Sequence, residues 1–217
     1  MSVIHFVTPG VLQIRGWAIR NHVIISGTGR AGTTFLVQLL TALKLDTGYK
    51  DNSAVAPNCD GGMESNLADP NAPYFVKDPW LCETLAGILE QGDVKIDHAF
   101  IPIRDLFAAA ESRRDVTRRT SPEVFEAFGP VVPGGCWPTD RVEDQESVLS
   151  RKLYTLIETL TRFNVPTTFL HFPKLAVSPE YTFAKLMPVL PGVTFFEFKN
   201  AFQATSQPAK IHQFKQT

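Results

Sequence analysis

The sequence predicts an α/β protein: a doubly wound, P-loop-type sheet of about five mainly parallel strands with helices on both faces. Three observations carry this expectation. Short apolar runs alternate with longer segments of helical periodicity along most of the 217 residues, the pattern of parallel strands joined by crossover helices. The first run, Val23-Ile24-Ile25, enters a turn holding Gly27, Gly29 and Gly32 and opens straight into the amphipathic segment that begins Thr33-Thr34-Phe35, as a strand, phosphate-cradling loop and helix do. The length suits a single domain over 1–217, and two domains would be cramped.

Residues 1–20 read as an N-terminal arm in which Val11-Leu12-Gln13-Ile14-Arg15 is an edge strand or a docked segment. The first strand covers about 22–27 and the first helix about 32–45, where Phe35, Leu36, Leu39, Leu40 and Leu43 form one apolar stripe. Residues 46–72 hold prolines, Gly61-Gly62 and several Asp and Asn, and read as a long loop on the substrate side. Tyr74–Lys77 is a second strand that stops at Asp78-Pro79, and a helix follows to about Gly92. His98–Ile103 is a third strand, although its Pro102 cannot donate to a ladder.

The helix over about 105–119 turns basic at Arg113, Arg114, Arg118 and Arg119, which reads as a solvated face, with attraction of an anionic substrate as the alternative. Residues 120–142 are rich in Pro and Gly and read as a second substrate-side loop or lid. A long helix over about 143–163 buries Leu149, Leu153, Leu156, Ile157, Leu160 and Phe163 and ends at Asn164 and Pro166. Thr167–His171 is a fourth strand, a helix covers about 178–189, and Val193–Phe198 is the fifth strand.

Composition excludes several classes. A net charge of −1 does not suggest a nucleic-acid partner. The cysteines, Cys59, Cys82 and Cys136, are odd in number and lack CxxC spacing, which argues for a reducing compartment and against a disulfide framework or zinc site. Residues 1–16 carry no basic start followed by an apolar run, and no apolar stretch approaches the roughly 20 residues of a membrane span. The expectation is a soluble, cytoplasmic protein acting on a small molecule.

The chemistry gathers at the glycine turn. Glycines let backbone N–H groups approach an anion, and the helix N-terminus adds unpaired donors. The spacing Gly27-x4-Gly32-x-Thr34 fits a nucleotide P-loop, but Thr33 stands where the lysine is expected, and the basic group is Arg30 instead. An arginine offers a bidentate clamp that a lysine does not. Arg104 ends the third strand on the same rim, and Ser112 lies eight residues on, about two turns into the next helix.

Gly29-Arg30-Ala31-Gly32-Thr33-Thr34-Phe35 resembles the 5′-phosphosulfate loop of sulfotransferases that use 3′-phosphoadenosine 5′-phosphosulfate (PAPS). The family's second signature, an arginine at the end of the third strand and a serine eight residues later that hold the 3′-phosphate, is similar to Arg104 and Ser112. Lys77-Asp78-Pro79 resembles the family's Lys-x-His or Lys-x-Pro element, and His171–Leu175 with Ser178-Pro179-Glu180 resembles a late strand and helix start. The likeness spans about 22–200. It implies PAPS as cofactor, 3′,5′-ADP as product, no metal, and transfer of a sulfuryl group to a hydroxyl or amine of a small acceptor. By the resemblance, residues 29–35 with Arg104 and Ser112 would hold the cofactor, while Arg30 and Lys77 would stabilise charge on the transferring group. Two bases stay open. Gly62-Met63-Glu64 resembles the Gly-x-Glu of Lys-x-Pro members, and Asp78 ends a strand on the active rim. Met63, Phe125, Phe128 and Trp137 in the two long loops suggest an apolar acceptor. The usual loop serine is Ala31 and the histidine of cytosolic members is Pro79, which keeps a non-catalytic nucleotide binder as one alternative. The P-loop spacing keeps a kinase or NTPase as the other, with Thr34 for the metal and Asp105 as its carboxylate but no lysine at 33.

Overall fold

A computed structural model describes residues 19–51, 53–56, 61–120, 132, 134–139, 141–212 and 214. The expected N-terminal arm, apart from its last two residues, and most of the 120–142 loop, including Phe125 and Phe128, lie outside the described residues.

The chain opens with β1 (Arg20–Ile25), followed by α1 (Thr33–Ala42) and a small antiparallel pair, β2 (Val55–Ala56) with β3 (Gly61–Gly62). Then come β4 (Phe75–Lys77), α2 (Leu81–Gln91), β5 (Val94–Ile103), α3 (Leu106–Arg119) and α4 (Gln145–Arg162). After β6 (Thr167–His171) the short α5 (Lys174–Val177), α6 (Pro179–Leu186) and α7 (Phe195–Thr205) complete the described elements. The central sheet has four strands in the order β4-β1-β5-β6, and every pairing is parallel.

Both faces of the sheet are covered, as its side-chain alternation requires. Ile24, Val76, Ala99 and Ile101 pack with α2, α3 and α4 through Leu81, Leu85, Ala109, Leu149, Leu156 and Leu160. Val23, Ile25, Phe75 and Phe100 pack on the opposite face against Leu36, Leu39 and Leu40 of α1, with Leu186, Phe198 and Phe202 of α6 and α7. Consecutive residues of β1 thus serve opposite layers, which is the doubly wound arrangement.

Two elements differ from expectation. The third strand begins at Val94, four residues early. Val94 and Ile96 are buried while Lys95 is exposed, a period-two alternation visible in the sequence. Pro102 is tolerated in this interior strand because of where β1 ends. Phe100 turns its carbonyl toward β1, accepting from Ser26 N–H at 3.2 Å. Pro102 shares that orientation, and the pairing with β1 stops at Phe100, so its missing donor faces no strand.

The fifth strand is a correction: 193–198 does not join the sheet. Thr194 instead caps α7, and its side chain accepts from Glu197 N–H while the Glu197 carboxylate accepts from Thr194 N–H, a capping box. Aromatic residues at 195–198 read as a strand on propensity. Yet Phe198, Phe202 and Thr205 are the buried positions and Phe196 is exposed, which is helical spacing. Replacing Thr194 by Ala should lower stability by about 1 kcal/mol in denaturant melts, with the sheet unchanged by circular dichroism.

His22 in β1 is 3 % exposed. Its Nδ1–H donates to the Pro73 carbonyl at 2.8 Å, and Nε2 is buried without a partner. Burial holds its pKa below the ordinary 6.5, and burial acts likewise on His98 of β5. Below pH 6.5 the unfolded chain therefore binds protons that folded His22 refuses, so stability is full above 6.5 and falls as pH drops toward the folded value. Urea midpoints measured downward from neutral pH should fall less steeply for His22→Asn, which keeps a donor to Pro73, than for the natural chain.

Candidate active site

Between β1 and α1 the chain turns through a run of left-handed backbone. Gly29, Arg30 and Gly32 have φ of 66°, 53° and 86°. Such angles are easy for glycine and cost an arginine about 1–3 kcal/mol, so neighbours must hold Arg30 in place. Arg104, at the exit of β5, donates from Nη1 to the Arg30 carbonyl at 2.9 Å. Arg30 donates from Nε to Ser112 Oγ of α3 at 3.1 Å. Arg104 also lies 5.0 Å from the Phe172 ring centroid and donates to the carbonyl of His212. Residues from three distant stretches, 30, 104 and 112, thus meet on one rim. Gly32 supplies no capping oxygen to α1, and the first-turn N–H groups of a helix have no carbonyl of their own to bond.

A second set of groups stands on the other side of the loop. Lys77 ends β4 and is 5 % exposed. Its ammonium donates to Thr34 Oγ1 at 3.0 Å, to the Gly62 carbonyl at 2.6 Å and to Glu64 Oε1 at 2.8 Å. The β2–β3 pair and the backbone after it bring Glu64 there, and the Tyr49 hydroxyl fixes that backbone by donating to the Glu64 carbonyl at 2.7 Å. The Glu64 side chain is half exposed. Asp78 points elsewhere. Its carboxylate accepts from the N–H groups of Trp80 at 2.8 Å and Leu67 at 3.5 Å, and burial raises its pKa above the ordinary carboxylate value. With Glu64 and Trp80 it lines a separate depression.

Two cavities adjoin the loop. One of about 150 Å³ is lined by Arg104, Ser112, Phe35, Phe172 and the stretch around Lys210. The other, of about 480 Å³, is lined by Glu64, Lys77, Trp80, Arg113 and Trp137. Arg30, Thr33 and Thr34 belong to both, so the loop and the start of α1 form the wall between them. Ala31 is fully buried and lines neither.

Arg113 is the residue the sequence reading did not single out. Of the basic cluster on α3, Arg114 pairs with Glu111 at 2.6 Å and Glu146 at 2.5 Å, Arg118 with Glu111 at 3.5 Å and Arg119 with Asp115 at 2.7 Å. Arg118 and Arg119 fit a solvated face, while Arg114 is ion-paired but largely covered. Arg113 is buried at 6 % exposure. Its Nε and Nη2 donate to the Thr28 carbonyl at 3.1 and 2.6 Å, and Nη1 donates to the Gly135 carbonyl at 2.5 Å. Burial and the like charge of Arg30 push its pKa down to about 10. The signal was present in the sequence: Ala109, Ser112, Arg113 and Val116 share one buried helical stripe.

No family model matches the chain, and no characterised protein does. No helix among the described residues is long and apolar enough to cross a membrane.

A Cβ placed on Gly29 would lie 2.5 Å from Arg113 Nη2, and that guanidinium is pinned by its carbonyl partners. Gly29→Ala should therefore lose roughly 1–3 kcal/mol from backbone strain alone, plus the cost of displacing Arg113. Gly87→Ala in α2 meets nothing within 4 Å and should gain up to about 1 kcal/mol. Thermal melts of the two variants beside the natural chain check the contrast.

Proposed function

We propose that the protein is a PAPS-dependent sulfotransferase, a P-loop-type α/β enzyme acting in a reducing, cytoplasmic setting on a small acceptor with an apolar body. The observation that carries the reading is the contact among Arg30, Arg104 and Ser112, residues 74 and 82 positions apart in sequence that hydrogen-bond at 2.9 and 3.1 Å. They are the residues on which the two signatures of the resemblance rest.

In this reading the amides of residues 29–35 and the hydroxyls of Thr33 and Thr34 hold the 5′-phosphosulfate. Arg104 and Ser112 take the 3′-phosphate in the smaller cavity, with Phe35 and Phe172 beside them. The acceptor enters the larger cavity, which shares Arg30, Thr33 and Thr34 with the smaller one, and its oxygen approaches sulfur opposite the leaving bridging oxygen, as in-line transfer demands. The acceptor oxygen forms a bond to sulfur while the bond from sulfur to the bridging oxygen breaks, and the electron pair leaves with 3′,5′-ADP. The acceptor proton passes to the Glu64 carboxylate. Glu64 suits the task better than Asp78, because it lines the acceptor cavity while Asp78 is engaged by Trp80 and Leu67. Arg30 and Lys77 stabilise charge that builds on the sulfuryl and bridging oxygens, an electrostatic mode of catalysis. Lys77 is well placed for this through its 3.0 Å bond to Thr34 Oγ1.

Arg30→Ala should cost roughly 100- to 1,000-fold in turnover and Glu64→Gln about 100- to 10,000-fold, measured as 3′,5′-ADP release from PAPS. In thermal-shift assays 3′,5′-ADP should stabilise the natural chain and Mg-ATP should not. Stabilisation by Mg-ATP alone would instead identify a kinase or NTPase.

A further inference from the structure

We propose that the acceptor carries a carboxylate of its own, bound by Arg113 in the larger cavity. The inference rests on the sulfotransferase reading for what the cavity holds, but it comes from the charge and donor inventory of that cavity.

Among the described residues lining it, the charged side chains are Arg30, Lys77, Arg113 and Glu64. Lys77 and Glu64 pair with each other at 2.8 Å, and Arg30 sits on the wall shared with the donor cavity. Arg113 has no carboxylate within ion-pair distance among the described residues. A buried charge is tolerated when it is paired, and here carbonyl dipoles and the Trp137 ring, whose centroid lies 5.6 Å from the guanidinium carbon, meet it with no counter-charge among the described residues. A guanidinium has five N–H donors, and three hydrogen bonds from Arg113 reach Thr28 and Gly135. One N–H on each terminal nitrogen is left over, a number that matches the two oxygens of a carboxylate. The depressed Arg113 pKa acts in the same direction, because a bound anion would relieve the unfavourable burial of the cation.

The rest of the cavity describes the other end of the molecule. Trp80 and Trp137 meet edge to face with centroids 4.5 Å apart. With Pro79, Val132 and Pro138 they make an apolar wall. Glu64 lines the same space and would receive the proton of the reacting hydroxyl. An acceptor that satisfies all three is a hydroxyaryl carboxylate: hydroxyl toward Glu64, ring against the tryptophans, carboxylate on Arg113. A volume of about 480 Å³ falls within the range of small-molecule pockets. The carboxylate also excludes neutral phenols of the same shape, since binding those leaves the cation buried and unpaired.

The test uses 4-hydroxybenzoate, 4-hydroxyphenylacetate and 3-(4-hydroxyphenyl)propanoate, each beside its methyl ester. Calorimetric binding to the full chain saturated with 3′,5′-ADP is measured first, and transfer from PAPS second. At least one acid should bind 10-fold or more tighter than its ester. That preference should vanish in Arg113→Gln and survive in part in Arg113→Lys, each compared at a 3′,5′-ADP concentration that saturates that variant. The acid-to-ester ratio in the natural chain stands whether or not a variant folds. Esters that bind as well as the acids, or no binding by either, would overturn the carboxylate site. If esters bind and accept sulfate, sulfotransfer survives that loss. If acids bind through Arg113 and no transfer from PAPS occurs, the anion site stands and the sulfotransferase reading falls.

Discussion

Three hydrogen bonds from arginine to backbone carbonyl shape the turn between β1 and α1. Arg113 gives two to Thr28 and Arg104 gives one to Arg30. A loop meant to present N–H groups to an anion must send its carbonyls elsewhere, because a carbonyl facing the anion would repel it. Here guanidinium groups from α3 and from the end of β5 take those carbonyls. They also concentrate positive charge around the turn, so one device serves both shape and potential. The left-handed backbone at Arg30 is held by the same contacts, which over-determine a conformation that its own preferences resist.

This arrangement depends on the sheet. β5 lies between β1 and β6, so its carboxyl end delivers Arg104 directly beside the end of β1. α3 then returns with Ser112 and Arg113 on its buried stripe. β4 flanks β1 on the other side and ends at Lys77. Cations therefore arrive at the turn from both neighbours of β1, and each is fixed by the strand or helix it belongs to. Ligands of open α/β sheets bind outside the carboxyl ends of the strands, and these residues are all drawn from that edge.

Much of this was legible in the sequence, for physical reasons that differ by residue. The glycine turn is a local pattern, readable from residue spacing alone, whereas Arg104 and Ser112 stood out only through the family resemblance. The four sheet strands were legible as apolar runs. The fifth was not, since Val193–Phe198 has strand-like composition and only the Thr194–Glu197 box and the burial of Phe198 with Phe202 reveal a helix. Propensity loses there to capping and tertiary packing. Arg113 was hidden differently. Four arginines in seven residues read as one solvated face, and only helical phase separates the buried one from the three that pair with acids.

Lys77 and Glu64 show how the site can hold both a cation and a carboxylate without one cancelling the other. Lys77 is nearly inaccessible and divides its donors among Thr34, Gly62 and Glu64. Glu64 is half exposed, so solvent screens the pair and one carboxylate oxygen stays outside the Lys77 contact. The lysine therefore orients the carboxylate while its bond to Thr34 Oγ1 keeps its charge against the N-terminus of α1. An entering ligand anion would compete with Glu64 for that ammonium. Such an anion would loosen the ion pair and leave the carboxylate more available to accept a proton.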